Sequence, residues 1–77
     1  MSRSRSGNVL CVELGKRIRA LRRVKRWTQA DMAAHLGMDR GHVSEIENGK
    51  RVINLLTLQT VASGLDTTMA NLLRGLG

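Results

Sequence analysis

The chain has 77 residues, with 13 Lys and Arg against 6 Asp and Glu and a net charge of +7. That length fits one domain with a modest core, and no apolar run approaches the roughly 20 residues of a membrane span. Cys11 is the only cysteine, which excludes an internal disulfide and suits a reducing, cytoplasmic setting.

Proline, tyrosine and phenylalanine are absent and Trp27 is the only aromatic, while Leu, Ala, Arg and Met are plentiful. This balance favours an all-helical domain. The charge is concentrated at the front: Arg3, Arg5, Lys16, Arg17, Arg19, Arg22, Arg23, Lys25 and Arg26 face the single acid Glu13. Such asymmetry suits a polyanion, either nucleic acid or an anionic membrane surface, although a solvated basic face is the plainer alternative.

Residues 1–8 contain no core-forming side chain after Met1 and read as a flexible basic arm, leaving 9–77 as the domain. No apolar stretch of roughly 7–15 residues follows, so a secretory signal is not expected. From Val9 to Arg26 a helical stripe of Leu10, Leu14, Ile18 and Leu21 opposes Lys16, Arg19, Arg23 and Arg26. Cys11 is best read as a small apolar residue at the start of that helix.

Thr28 and Asp31 form a variant capping box for a second helix, and Trp27 can staple onto Met32, which accounts for the tryptophan better than stacking on DNA does. Met32, Ala33 and Leu36 face inward, and Gly37 ends the helix. A third helix starts at once, with Asp39 as cap, Met38 and Val43 as staple, Val43 and Ile46 inward, and Asn48-Gly49 as stop. Asn54 caps a fourth helix whose Leu55, Leu58, Val61, Ala62 and Leu65 point inward; Thr68 caps a short fifth with Met69, Leu72 and Leu73. Gly64 and Gly75 lie near the ends of these last two helices, and there is no internal repeat.

The central pair carries the functional signal. In the unit from Gln29 to Asn48, Ala33 stands where two helices must cross closely, Gly37 in the tight turn and Val43 where the second helix meets the first. These are the requirements of a helix-turn-helix over residues 29–48. The segment LGKRIRALRRVKRWTQADMAAHLGMDRGHVSEIENGKR, followed by a Leu-x-x-Leu helix and LLRGL, closely resembles the Cro/C1-type (xenobiotic-response-element-like) helix-turn-helix repressors of bacteria and phages. The resemblance covers about residues 13–76. Within the family, the Asp-Arg start of the third helix looks most like the controller proteins of restriction–modification operons.

The resemblance implies a compact five-helix, lambda-repressor-like domain whose third helix lies in the major groove of double-stranded DNA. Arg40, Gly41, Ser44 and Glu45 then face base edges. Arg40 suits guanine O6 and N7, with a phosphate contact or an ion pair as its plainer readings. Gly41 stands where relatives carry a polar reader and can allow close approach. Glu45 either accepts from cytosine N4 or holds a nearby arginine. Gln29, His42, Asn48, Lys50 and Arg51 are the phosphate candidates, with His42 also readable as an unpartnered surface histidine. Arg19, Arg23 and Arg26 are lesser candidates, and Arg3 and Arg5 suit a minor groove.

Arg22 and Glu47 match positions that form a buried ion pair in some phage repressors. The family further implies a homodimer on a near-palindromic operator, and it points to autoregulation; Met69, Leu72, Leu73 and Leu76 are the candidate dimer contacts. No cofactor, metal, membrane or small-molecule partner is expected. Catalysis is not expected either: His35 and His42 fall on separate helices, without metal-ligand spacing to Cys11 or a phosphate-cradling loop. The rival reading is an antitoxin-type protein-interaction module that also binds DNA.

Overall fold

The computed structural model describes the backbone of residues 2–76 and the side chains of residues 9–76. Five helices follow in order: α1 (Ser2–Val24), α2 (Gln29–Leu36), α3 (Arg40–Glu47), α4 (Leu55–Gly64) and α5 (Met69–Leu73), with no strand among the described residues. The fold class is the all-helical, five-helix one read from the sequence.

Capping explains most of the helix starts. Thr28 Oγ1 accepts from the Asp31 N–H at 3.0 Å, and Asp31 Oδ2 accepts from the Thr28 N–H at 2.9 Å. Asn54 and Thr68 cap α4 and α5 through the N–H groups of Thr57 and Asn71. Asp39 departs from expectation: it holds the extended cap position of α3, yet its side chain makes no cap hydrogen bond. Burial of Val43 and Ile46 therefore does more for α3 than its cap.

The first helix differs from its expected bounds at both ends. It runs back through the segment expected to be an arm, as a chain without proline can once a nucleus exists, since each further residue adds a hydrogen bond. The described residues do not include the side chains of Arg3 and Arg5, so their expected minor-groove role lies outside them. At the other end α1 stops at Val24, and Arg26 leaves the helix with φ of 61°. Arg22 Nη1 pins that turn by donating to the Trp27 carbonyl at 2.7 Å.

The core comprises Leu14, Ile18, Met32, Ala33, Val43, Ile46, Leu58, Val61, Ala62, Leu65 and Leu72, with every helix contributing. Two expected members are outside it: Leu10 is 42% exposed and Leu55 is 70% exposed. Both share the inward face of their helices but lie beyond the region where another helix covers that face. Trp27 packs partly against the core, and its ring stacks on His35 at 4.2 Å, one turn further along α2 than the expected staple.

Two glycines set how α1 meets α3. A Cβ on Gly15 would stand 2.5 Å from the carbonyl oxygens of Ile46 and Glu47. Gly49 has φ of 70°, and a Cβ there would stand 2.7 Å from Val12 Cα. The last turn of α3 therefore rests directly on the α1 backbone, leaving little freedom in its tilt.

Candidate nucleic-acid interface

α2 and α3 form the helix-turn-helix, joined at Gly37, whose φ of 67° takes the left-handed turn. α3 divides sharply by face. Val43, Ile46 and Glu47 are buried, whereas Arg40, Gly41, Glu45 and Asn48 are exposed and His42 and Ser44 are half-buried. A Cβ on Gly41 would meet nothing within 4 Å, so no contact inside the monomer requires glycine there. Lys50 and Arg51 are exposed just beyond the helix.

Beneath this face lies a polar junction centred on Glu47. Arg22 donates from Nε to Glu47 Oε2 at 2.6 Å and from Nη2 to Oε1 at 3.0 Å, a two-pronged pair joining α1 to α3. Oε1 also accepts from Arg19 Nε at 3.4 Å and Gln29 Nε2 at 3.2 Å. Arg19 Nη2 in turn donates to Asn48 Oδ1 at 2.9 Å. Burial pushes the Glu47 carboxyl up, but hydrogen bonds from Arg22, Gln29 and Arg19 outweigh it and hold the group below its ordinary value. Its hydrogen bond to Glu47 raises the Arg22 guanidinium. Among the described residues, every buried side-chain nitrogen and oxygen has a partner.

This junction gathers several residues that the sequence offered separately. Gln29 and Asn48, both phosphate candidates, join it by different routes: Gln29 donates directly to Glu47, and Asn48 is linked through Arg19. Gln29 turns its side-chain amide inward, which leaves the α2 N-terminal backbone as its outward donor. Arg51, also expected on phosphate, is folded back: its Nε donates to Glu45 Oε1 at 3.0 Å. Of the lesser cations, Arg19 is thus occupied, and Arg26 sits in the turn after α1.

The candidate dimer contacts on α5 separate on inspection. Leu72 is 1% exposed and belongs to the monomer core, so it is unavailable to a partner. Met69 and Leu76 are half-buried against the same core, and Leu73 is exposed. What sequence reasoning missed is the exposure of three aliphatic residues in the segment after α3: Val52, Leu55 and Leu56 are 85%, 70% and 76% exposed. Its signal was the adjacent leucine pair at the start of α4, of which one helix face can bury only part. Among the described residues no His/Cys/Asp/Glu group could hold a metal, and no helix is long and apolar enough to cross a membrane.

Comparison with known proteins agrees with this geometry. Residues 18–72 match the helix-turn-helix family model HTH_3. The control protein C.MunI of Mycoplasma sp is 35% identical over 66 residues, which cover 84% of this chain and 89% of that protein. The crystal structure of the restriction-modification controller protein C.AhdI from Aeromonas hydrophila superposes with a TM-score of 0.77 at 34% identity, covering 80% of this chain and 94% of that one. The clp gene regulator ClgR from Corynebacterium glutamicum superposes with a TM-score of 0.78 at 28% identity, covering 83% of this chain and 68% of that one. A matched family domain, a matched fold and an outward, braced third helix lead to one assignment: the chain belongs to the Cro/C1-type (HTH_3) family of helix-turn-helix DNA-binding regulators and is not an enzyme.

Proposed function

We propose that the chain is a controller-type regulator that binds a near-palindromic operator as a homodimer and acts on its own promoter. The observation that carries this reading is the free outer face of α3, held in place by the Glu47 junction beneath it. Arg40 takes guanine O6 and N7, Gly41 lets the helix approach the groove floor, and Ser44 and Glu45 meet neighbouring bases. His42, Asn48 and Lys50 contact phosphates from the recognition side, and Gln29 does so through the N-terminal amides of α2. Likeness to the control protein C.MunI and the restriction-modification controller protein C.AhdI supports the controller role.

The dimer forms through Val52, Leu55 and Leu56 rather than through α5. Three exposed aliphatic side chains within five positions of the chain suit a partner. They lie five to nine residues beyond the end of α3, and the proposed twofold axis across them is one that sets the two α3 helices on the same side of the dimer. Half-sites about 34–36 Å apart are required, and a molecule measuring 36 × 24 × 21 Å can span that distance in pairs.

Selection from random duplexes at two salt concentrations tests the reading. The expected outcome is a near-palindromic consensus that recurs upstream of the chain's own gene; failure of any sequence to outcompete the pool overturns it. Leu55→Asp with Leu56→Asp should give folded monomers with weak operator affinity. Unchanged sedimentation would remove the interface from this patch, and capture of one foreign protein there would favour the antitoxin-type reading.

A further inference from the structure

Within α3, Glu45 is the acidic side chain left exposed, on the face proposed to enter the groove. A lone carboxylate there would repel phosphate on every sequence. The chain does not leave it alone. After α3 the backbone reverses at Gly49, the Lys50 N–H bonds back to the Glu45 carbonyl at 2.9 Å, and Arg51 swings over the end of the helix. Both of its donors converge on one oxygen: Nε at 3.0 Å and Nη2 at 2.5 Å, each to Glu45 Oε1. Glu45 Oε2 accepts no hydrogen bond among the described residues. The two side chains are equally open, each 48% exposed.

From this arrangement we propose that Glu45 and Arg51 form a preassembled base-reading pair, in which Arg51 occupies Oε1 and so aims Oε2 at an exocyclic amino group, cytosine N4 or adenine N6, in the major groove. Arg51 is then a positioning residue and not a phosphate clamp. Pairing serves the reading in two ways. It cancels the carboxylate's repulsion of the backbone, and it fixes a side chain that would otherwise sample several rotamers on binding. The hydrogen bond from Arg51 also holds the Glu45 carboxyl below its ordinary value, which keeps it an acceptor. Lys50, one residue earlier, has no such partner among the described residues and is the contrasting cation.

The inference rests on the DNA-binding reading, and a double-mutant cycle separates the two. Glu45→Ala, Arg51→Ala and the double variant are compared with the parent on the selected duplex and on duplexes carrying each single base-pair change. Both positions are exposed and outside the core, and circular dichroism checks the fold. Glu45→Ala should abolish discrimination at one base pair, about tenfold in the parent. Arg51→Ala should reduce discrimination at that same pair, the double variant should match Glu45→Ala, and the slope of log affinity against log salt should stay near the parent's. The proposal is overturned if Glu45→Ala leaves every base preference intact. It is equally overturned if Arg51→Ala weakens all duplexes alike and lowers the slope by about 0.9, the mark of a phosphate contact. A parent protein that selects no duplex at all would instead remove the regulator reading.

Discussion

Glu45 and Glu47 lie two residues apart on one short helix and have opposite fates. Two positions on a helix turn the side chain through about 200°, so Glu47 points into the α1–α3 junction while Glu45 points out. Glu47 has a fully buried side chain and bonds from Arg22, Arg19 and Gln29; Glu45 is half exposed with Arg51 as its one side-chain partner among the described residues. The same carboxylate chemistry thus fixes the recognition helix on one side and is available for recognition on the other. Removing the first should cost stability and removing the second should cost sequence preference.

The sharpest break of this comparison is Glu47→Ala, which strands Arg22 among buried groups. Loss of one partner of such a pair costs about 3–5 kcal/mol, whereas Glu45→Ala should stay within about 0.5 kcal/mol of the parent, as surface changes do. Urea unfolding checks both, and equal losses would erase the distinction. Gly15→Ala should destabilise by about 1–3 kcal/mol, because the new methyl group meets backbone carbonyls that cannot rotate away; its thermal midpoint should fall while Gly41→Ala leaves stability unchanged or improved.

Among the outward residues, Arg40→Ala should weaken cognate binding by about 1–3 kcal/mol and relax one base position. Equal loss on every duplex would reassign Arg40 to phosphate. Lys50→Ala should weaken cognate and random DNA alike and lower the salt slope by about 0.9. The smallest effect concerns pH. The Glu47 carboxyl titrates below its ordinary 4.5 in the folded chain, so its stabilisation is full above that value and fades as pH falls through the lower folded value. Denaturation midpoints taken downward from pH 5 should therefore fall less steeply in Glu47→Gln than in the parent.

Much of the fold was legible because capping and helical spacing are local. Thr28 with Asp31, Asn54, Thr68 and Gly37 all mark boundaries that the structure places within a residue or two. The sequence pattern failed where the answer depends on how far a neighbouring helix reaches. Leu10 and Leu55 continue inward stripes but stay 42% and 70% exposed, and Leu72, offered as a dimer contact, is consumed by the core. Gly15 was silent in the sequence because its reason is a backbone 31 and 32 residues away, at Ile46 and Glu47.

For the site, spacing singled out the helix-turn-helix and the inward Val43 and Ile46, while family resemblance supplied the outward residues of α3. It offered Arg22 and Glu47 as a pair only through family resemblance, and it could not join Gln29, Arg19 and Asn48 to them. Those links arise from three helices meeting at one point. The pairing of Glu45 with Arg51 also depends on the left-handed Gly49, which turns the chain back; spacing left Glu45 equally open to a base or an arginine.

The most direct test follows backbone amide resonances of the labelled protein as its selected duplex is added. The geometry requires the largest shifts at the start of α2 and from Arg40 to Arg51, with the buried residues of α5 little moved. Shifts centred on α5, or none along α3, would contradict the claim that the outer face of this helix meets DNA.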